Sequence, residues 1–193
     1  MTKTTKYTLI SLGFVALYLI LNSLPSTIQT LQTAKEMEDS EIVDSVGQSQ
    51  LGLKQGTWKY FDRLGRTQKI QTFKNDTLHG EEKLFDKEGE LGLHRFYKMG
   101  TLFDTSKFFV GGSLNSVEYR DSNGVLQGEF RVLIEHRVIQ IGNYKDGEFH
   151  GTFKTFYEET GKIKELYFYD EGDKIGTWLY FDEQGDTLRT EKY

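Results

Sequence analysis

Four histidines and no cysteine bound the metal and nucleophile chemistry open to this chain of 193 residues. His79 and His150 stand one residue before Gly80 and Gly151, in equivalent sequence contexts. Two imidazoles could share a metal, but these two fall in segments that do not adjoin, so they read as turn residues. His94 and His136 have no Asp, Glu or His at metal-ligand spacing. Asp121-Ser-Asn-Gly124 and Asp170-Glu-Gly-Asp173 carry carboxylates in the manner of calcium loops. Both lack the twelve-residue ligand spacing and the terminal Glu, so they too read as turns. Gly111-Gly112-Ser113 is not followed by a helix pattern, which removes a phosphate loop. Asn75-Asp76-Thr77 fits a glycosylation sequon and a turn equally well. No order of Ser, His and Asp stands out. The expectation is no catalytic residue, no cofactor, no metal, and a protein that is not an enzyme. The absence of cysteine also excludes disulfides and a lipid on an N-terminal cysteine. A net charge of −5 gives no footprint for nucleic acid.

The glycines and aromatics have a stronger order than any of these groups. A pattern of about 24 residues recurs from Gly52 to the C-terminus, with repeat starts at Gly56, Gly80, Asp104, Gly128, Gly151 and Gly176. A second glycine lies near four residues before most starts: Gly52, Gly100, Gly124, Gly147 and Gly172, with Asp76 the exception. Trp58, Phe130, Phe153 and Trp178 share the position two residues after the start, followed by pairs such as Tyr60-Phe61 and Tyr180-Phe181. A fixed period of this length signals small units stacked on their neighbours.

One unit, Gly56 to Gly80, shows how each should fold. Thr57 to Asp62 reads as an aromatic-rich strand, and Gly65 serves a tight turn. Thr67 to Lys74 supplies a second strand, and Asn75 to Gly80 reverses the chain again. Second strands end in Phe73, Tyr97, Tyr144 and Tyr169, with Tyr119 offset in the third unit. Gly161 and Gly185 occupy the turn position of Gly65 in later units. No proline follows Pro25, so no ladder N–H is lost. The expected fold class is all-β: an elongated antiparallel hairpin array of about six units and twelve strands over residues 51–193. Trp178, Tyr180 and Phe181 are expected to pack on a column containing Phe153, Phe156 and Tyr157. Asp104 in place of the repeat glycine, and Arg137 where a turn glycine is expected, mark the third and fourth units as the most divergent.

Ahead of the array, Lys3 and Lys6 precede an apolar run from Tyr7 to Leu21. This is a basic start followed by a hydrophobic segment, the pattern of export. Residues 1–24 read as a hydrophobic helix, either an uncleaved signal anchor or a cleaved signal peptide. Its flanking charges put the repeats outside the cytoplasm, hence periplasmic in a Gram-negative cell. Residues 25–50 read as a polar spacer, partly helical or disordered, with Ser26 placed to cap a short helix.

Tyr144-Lys-Asp-Gly147-Glu-Phe-His-Gly151-Thr-Phe153-Lys-Thr-Phe-Tyr-Glu-Glu-Thr-Gly161 resembles the MORN repeat (membrane occupation and recognition nexus). Gly176-Thr-Trp178-Leu-Tyr180-Phe181-Asp-Glu-Gln-Gly185 is as good a match. The similarity extends to bacterial MORN-variant repeats often labelled as antitoxin components. It implies hairpin arrays that bind proteins or lipids, without family-wide catalytic residues. The functional expectation is an exported or membrane-anchored scaffold for an unidentified protein partner. The alternatives are a glycan- or lipid-head-group-binding module with an exposed aromatic face, and an antitoxin-like inhibitor of a partner.

Overall fold

The computed structural model describes residues 42–193, all-β and without a helix among them. The expectations for residues 1–24 and for the spacer up to residue 41 lie outside the described residues. Among those described, no helix is long and apolar enough to cross a membrane.

The sheet begins with β1 (Asp44–Gln50), inside the stretch read as spacer. Then follow β2 (Leu53–Phe61), β3 (Thr67–Lys74), β4 (Thr77–Phe85), β5 (Leu91–Lys98), β6 (Thr101–Val110) and β7 (Ser113–Arg120). The second half contains β8 (Gly128–Ile134), β9 (Arg137–Lys145), β10 (Glu148–Phe149), β11 (Gly151–Phe156) and β12 (Ile163–Asp170). It closes with β13 (Asp173–Lys174), β14 (Thr177–Phe181) and β15 (Thr187–Lys192). All belong to one antiparallel sheet in sequential order, with β10 and β13 pairing beside β9 and β12. The sheet has 15 strands rather than twelve because β1 precedes the first unit and two first strands are split.

The two glycines of each unit do different work. The earlier one, except Gly124 in the longer loop between β7 and β8, closes a two-residue hairpin turn. Leu51-Gly52, Met99-Gly100, Asp146-Gly147 and Glu171-Gly172 all have positive φ at both residues, as does Asn75-Asp76. That backbone matches the right-handed twist of the flanking strands. Asp76 replaces glycine because its carboxylate accepts the Lys54 N–H at 2.7 Å while its own N–H donates to the Lys54 carbonyl at 3.1 Å. The second glycine bends a strand. Between Gln48↔Gln55 and Val46↔Lys59 the chain advances two residues on β1 and four on β2, with Gly56 inside the bulge. Gly80 and Asp104 sit in the same bulge two and four strands on. Asp104 keeps the positive φ of the glycine it replaces, at 62°.

At the opposite edge the reversals at Asp62, Asp86 and Asp182 each turn a carboxylate onto backbone N–H groups two to four residues ahead, and Asp121 caps a longer reversal the same way at the hairpin edge. The Asp121 segment is therefore a capped turn (an Asx-type loop), whose Oδ1 accepts from its own backbone. Arg137 is not a turn residue. Glu135 and His136 make the turn, both at positive φ, and Arg137 opens β9.

Candidate functional site

Strand alternation divides the sheet into two faces, and one of them holds the core. Its central row contains Trp58, Glu82, Ser106, Phe130, Phe153 and Trp178, each two residues after its repeat start. Tyr60 and Tyr180 follow on the same face, while Phe61 and Phe181 point to the other. The C-terminal units pack their rings on one another. Phe130 lies 5.5 Å from Phe153 and 5.2 Å from Tyr144. Trp178 lies 4.2 Å from Tyr167 and 5.3 Å from Tyr169, and these two link it to Phe153. Phe156 pairs with Ile163 on the far side, so the expectation that it and Tyr157 meet Trp178 in this column is corrected. Tyr157 instead donates its hydroxyl to the Phe181 carbonyl at 2.7 Å, bridging the last two units. Burial pushes the Tyr144 and Tyr167 hydroxyls well up and Tyr169 up to about 12, so all three stay neutral.

Room for such rings comes from what stands opposite. A Cβ on Gly142 would lie 2.6 Å from the Phe130 ring and 2.8 Å from that of Phe153. Gly47 on β1 plays the same part for Trp58, whose indole N–H donates to the Gln48 carbonyl at 3.1 Å. Gly56, Gly128, Gly151 and Gly176 each face an aromatic or its equivalent on the next strand: Phe73, Tyr144, Tyr169 and Tyr193. In the third unit that partner of Asp104 is Arg120. Tyr119, read as the offset aromatic, lies on the other face and is 45% exposed.

The second and third units put a polar insert where the others have rings. Glu82 and Ser106, at 3% and 0% exposure, occupy the aromatic row. Glu82 accepts from Arg95 and from Gln71, the latter at 2.5 Å. Glu118, directly opposite Ser106, pairs with Arg120 at 2.8 Å. Both carboxylates are thus matched by a guanidinium, the condition under which buried charge is tolerated. Sequence reading named Asp104 but missed Glu82, Ser106 and Glu118. The signal was there, in the absence of an aromatic at the start-plus-two position of two adjacent units.

A further pattern escaped notice. The residue two before each start is Lys54, Leu78, Leu102, Leu126, Phe149 and Lys174. Interior units seal their rings with apolar side chains. The terminal units use lysines, Lys54 at 4.6 Å from the Trp58 centroid and Lys174 at 4.3 Å from that of Trp178. A cation over a ring covers the end of the core while keeping its charge in water.

The opposite face has no second layer over it among the described residues, which form a single sheet. A row of half-buried side chains crosses it: Phe61, Phe85, Phe109, Leu133, Phe156 and Phe181. Their partners on the intervening strands include Leu91, Leu114, Val138 and Ile163. His79 and His150 stay apart, as expected. The His79 Nδ1 accepts from the Met99 N–H at 3.3 Å, and His150 lies 3.1 Å from Asp170.

No family model and no curated protein matches the chain. Among solved structures, part of the chain is similar to one titled crystal structure of accessory secretory protein 1,2 and 3 in Streptococcus pneumoniae, at 16% identity and a TM-score of 0.35. That match covers 55% of this chain and 19% of the other.

Proposed function

We propose that this chain is a non-enzymatic, MORN-like repeat scaffold that binds a protein partner across the face opposite its aromatic core. The observation that supports this is the row of half-buried apolar side chains recurring in every unit from Phe61 to Phe181 on a sheet face with no covering layer among the described residues. Contiguous apolar surface of that kind marks interaction sites more often than solvent-facing surface. The core-face rings serve a different end, because they are consumed by packing on one another. The basic and apolar start of the chain supports export or anchoring, with the repeats outside the cytoplasm.

The test is a double substitution, Phe85→Ser and Phe109→Ser, in the full chain. Partner capture by crosslinking on native membranes should fall severalfold while the far-ultraviolet signature of the sheet persists. Undiminished capture of the same partner would sink the reading. A C-terminal reporter active only outside the cytoplasm addresses localisation, and an inactive reporter on a well-expressed fusion would reject it.

A further inference from the structure

One row on the uncovered face runs across nearly the whole sheet without a break in register. It passes through Lys59, Ile70, Lys83, His94, Lys107, Val117 and Arg131, each directly paired with the next. It continues through Ile141, Lys154, Leu166 and Leu179. Cations occupy β2, β4, β6, β8 and β11, always three residues after the repeat start, and His94 joins the three aliphatic residues Ile70, Val117 and Ile141 on the strands between them. The chain as a whole is acidic, at −5, yet this row holds five permanent cations. Of these five cations, Lys83 and Arg131 have carboxylate partners among the described residues, Glu81 at 2.8 Å and Glu129 at 2.5 Å, and Glu81 also lies 3.4 Å from His94. Lys59, Lys107 and Lys154 make no ion pair among the described residues, and the first two are exposed.

We propose that this row binds an acidic, extended protein segment laid across the strands. The inference rests on the scaffold reading above and names the chemistry of its partner. The spacing carries the argument. Alternate strands are about 9.6 Å apart, twice the interstrand distance. A polyproline II chain advances about 9.3 Å in three residues and brings every third side chain to the same side. A carboxylate at each third residue would then meet one cation per unit for five units, over about 40 Å. Residues between the carboxylates would lie on Ile70, Val117 and Ile141, and on the adjoining phenylalanine row. His94 reports the local field. Burial lowers its pKa, the Lys83 charge lowers it further, and Glu81 and Lys107 act in opposite senses beside it. Phe96 packs on it at 4.8 Å.

Two synthetic 15-residue peptides of identical composition provide the probe, used with the full chain. One carries Glu at every third position between Pro and Leu, and the other carries its five Glu in one block. The spaced peptide should bind at least about tenfold tighter and weaken steadily with salt, since exposed charges are screened over about 10 Å at 0.1 M. The triple variant Lys59→Gln, Lys107→Gln, Lys154→Gln should lose that binding with an unchanged melting profile. On binding, the His94 ring should titrate at higher pH by NMR, because nearby anions favour the imidazolium. Equal affinity of the two peptides, binding unaltered in the triple variant, or no saturable binding would overturn the proposal. So would a clear preference for polyphosphate or for anionic vesicles over the spaced peptide. A photocrosslinker at Phe109 separates this failure from that of the scaffold itself. Salt-resistant crosslinking to one protein there would refute the acidic segment and leave the scaffold reading standing.

Discussion

The second and third units and the last three place the same row of the same face at the same period, yet fill it with opposite chemistry. In one, Glu82 is held by Arg95 and Gln71, Glu118 by Arg120, and Ser106 is buried opposite Glu118. In the other, Phe130, Phe153 and Trp178 are held by tyrosines and by the space over Gly142. The period thus fixes which positions face inward, but not what stabilises them there. Aromatic packing is non-directional and tolerates small shifts of one strand on the next. The polar contacts of Glu82 are directional and cross strands, requiring Glu82 opposite both Arg95 and Gln71. The polar insert can therefore serve as a register pin in the middle of a long meander, where slippage by one residue would turn every side chain to the wrong face.

That contrast can be broken most forcefully from either side. Phe130→Ala removes a ring with 1% exposure and should cost about 3–5 kcal/mol in denaturant unfolding. A loss under about 1 kcal/mol would mean the aromatic units are not a tight core. Glu118→Ala leaves Arg120 without its carboxylate and should cost a comparable amount, about 3–5 kcal/mol. The sharper comparison is the double change Glu118→Leu with Arg120→Leu, which should recover to within about 1 kcal/mol of the natural chain. If the β4–β5 register is what the cross-strand pair of Glu82 and Arg95 secures, Glu82→Leu with Arg95→Leu should be stable but show doubled amide signals in β4 and β5. A single set would remove the register role.

Gly142→Ala tests the aromatic half by crowding rather than by removal. The added methyl meets Phe130 and Phe153 and should cost about 1–3 kcal/mol. The corresponding crowding has no counterpart in the polar insert, so protection against hydrogen exchange should fall in β8 to β11 and persist in β3 to β5. The smallest effect concerns the Asp121 turn. Backbone N–H bonds from Val125 and Asn123 hold its carboxyl below the ordinary value. A lowered folded pKa contributes stability above the unfolded value near 4 that is lost as pH falls through the folded one. Acidification below about pH 4 should thus loosen residues 121–127 before the strands melt. An Asp121 carboxyl that titrates at its unfolded value by NMR would contradict this.

Much of the array was legible beforehand. The spacing of Gly52 and Gly56, of Gly147 and Gly151, and of Gly172 and Gly176 announced hairpins, because few residues other than glycine adopt positive φ without strain. Trp58, Phe153 and Trp178 announced the inward row. Legibility ended where a residue broke the pattern. Asp104 was visible as an exception, but its partner Arg120 was not, because a bulge of uncertain length separates sequence spacing from cross-strand register. Tyr119 was read as the displaced aromatic for the same reason. The aspartate caps Asp62, Asp86, Asp121 and Asp182 leave no period of their own in the sequence, because Asp121 serves the hairpin edge and the other three the opposite one. The cation ladder was missed because its members occupy five different strands.

The class, the period and the inward positions of most units follow from local rules: alternation with period two, positive φ at fixed offsets, and aromatics that must leave water. That Glu82 meets Arg95, that Glu118 lies across from Ser106, and that Lys59, Lys83, Lys107, Arg131 and Lys154 form one row emerges with the assembled sheet. Such pairings depend on the register between strands. Each bulge shifts register by whole residues, and the shift is set by the summed packing of neighbouring strands, which no stretch of the chain encodes alone.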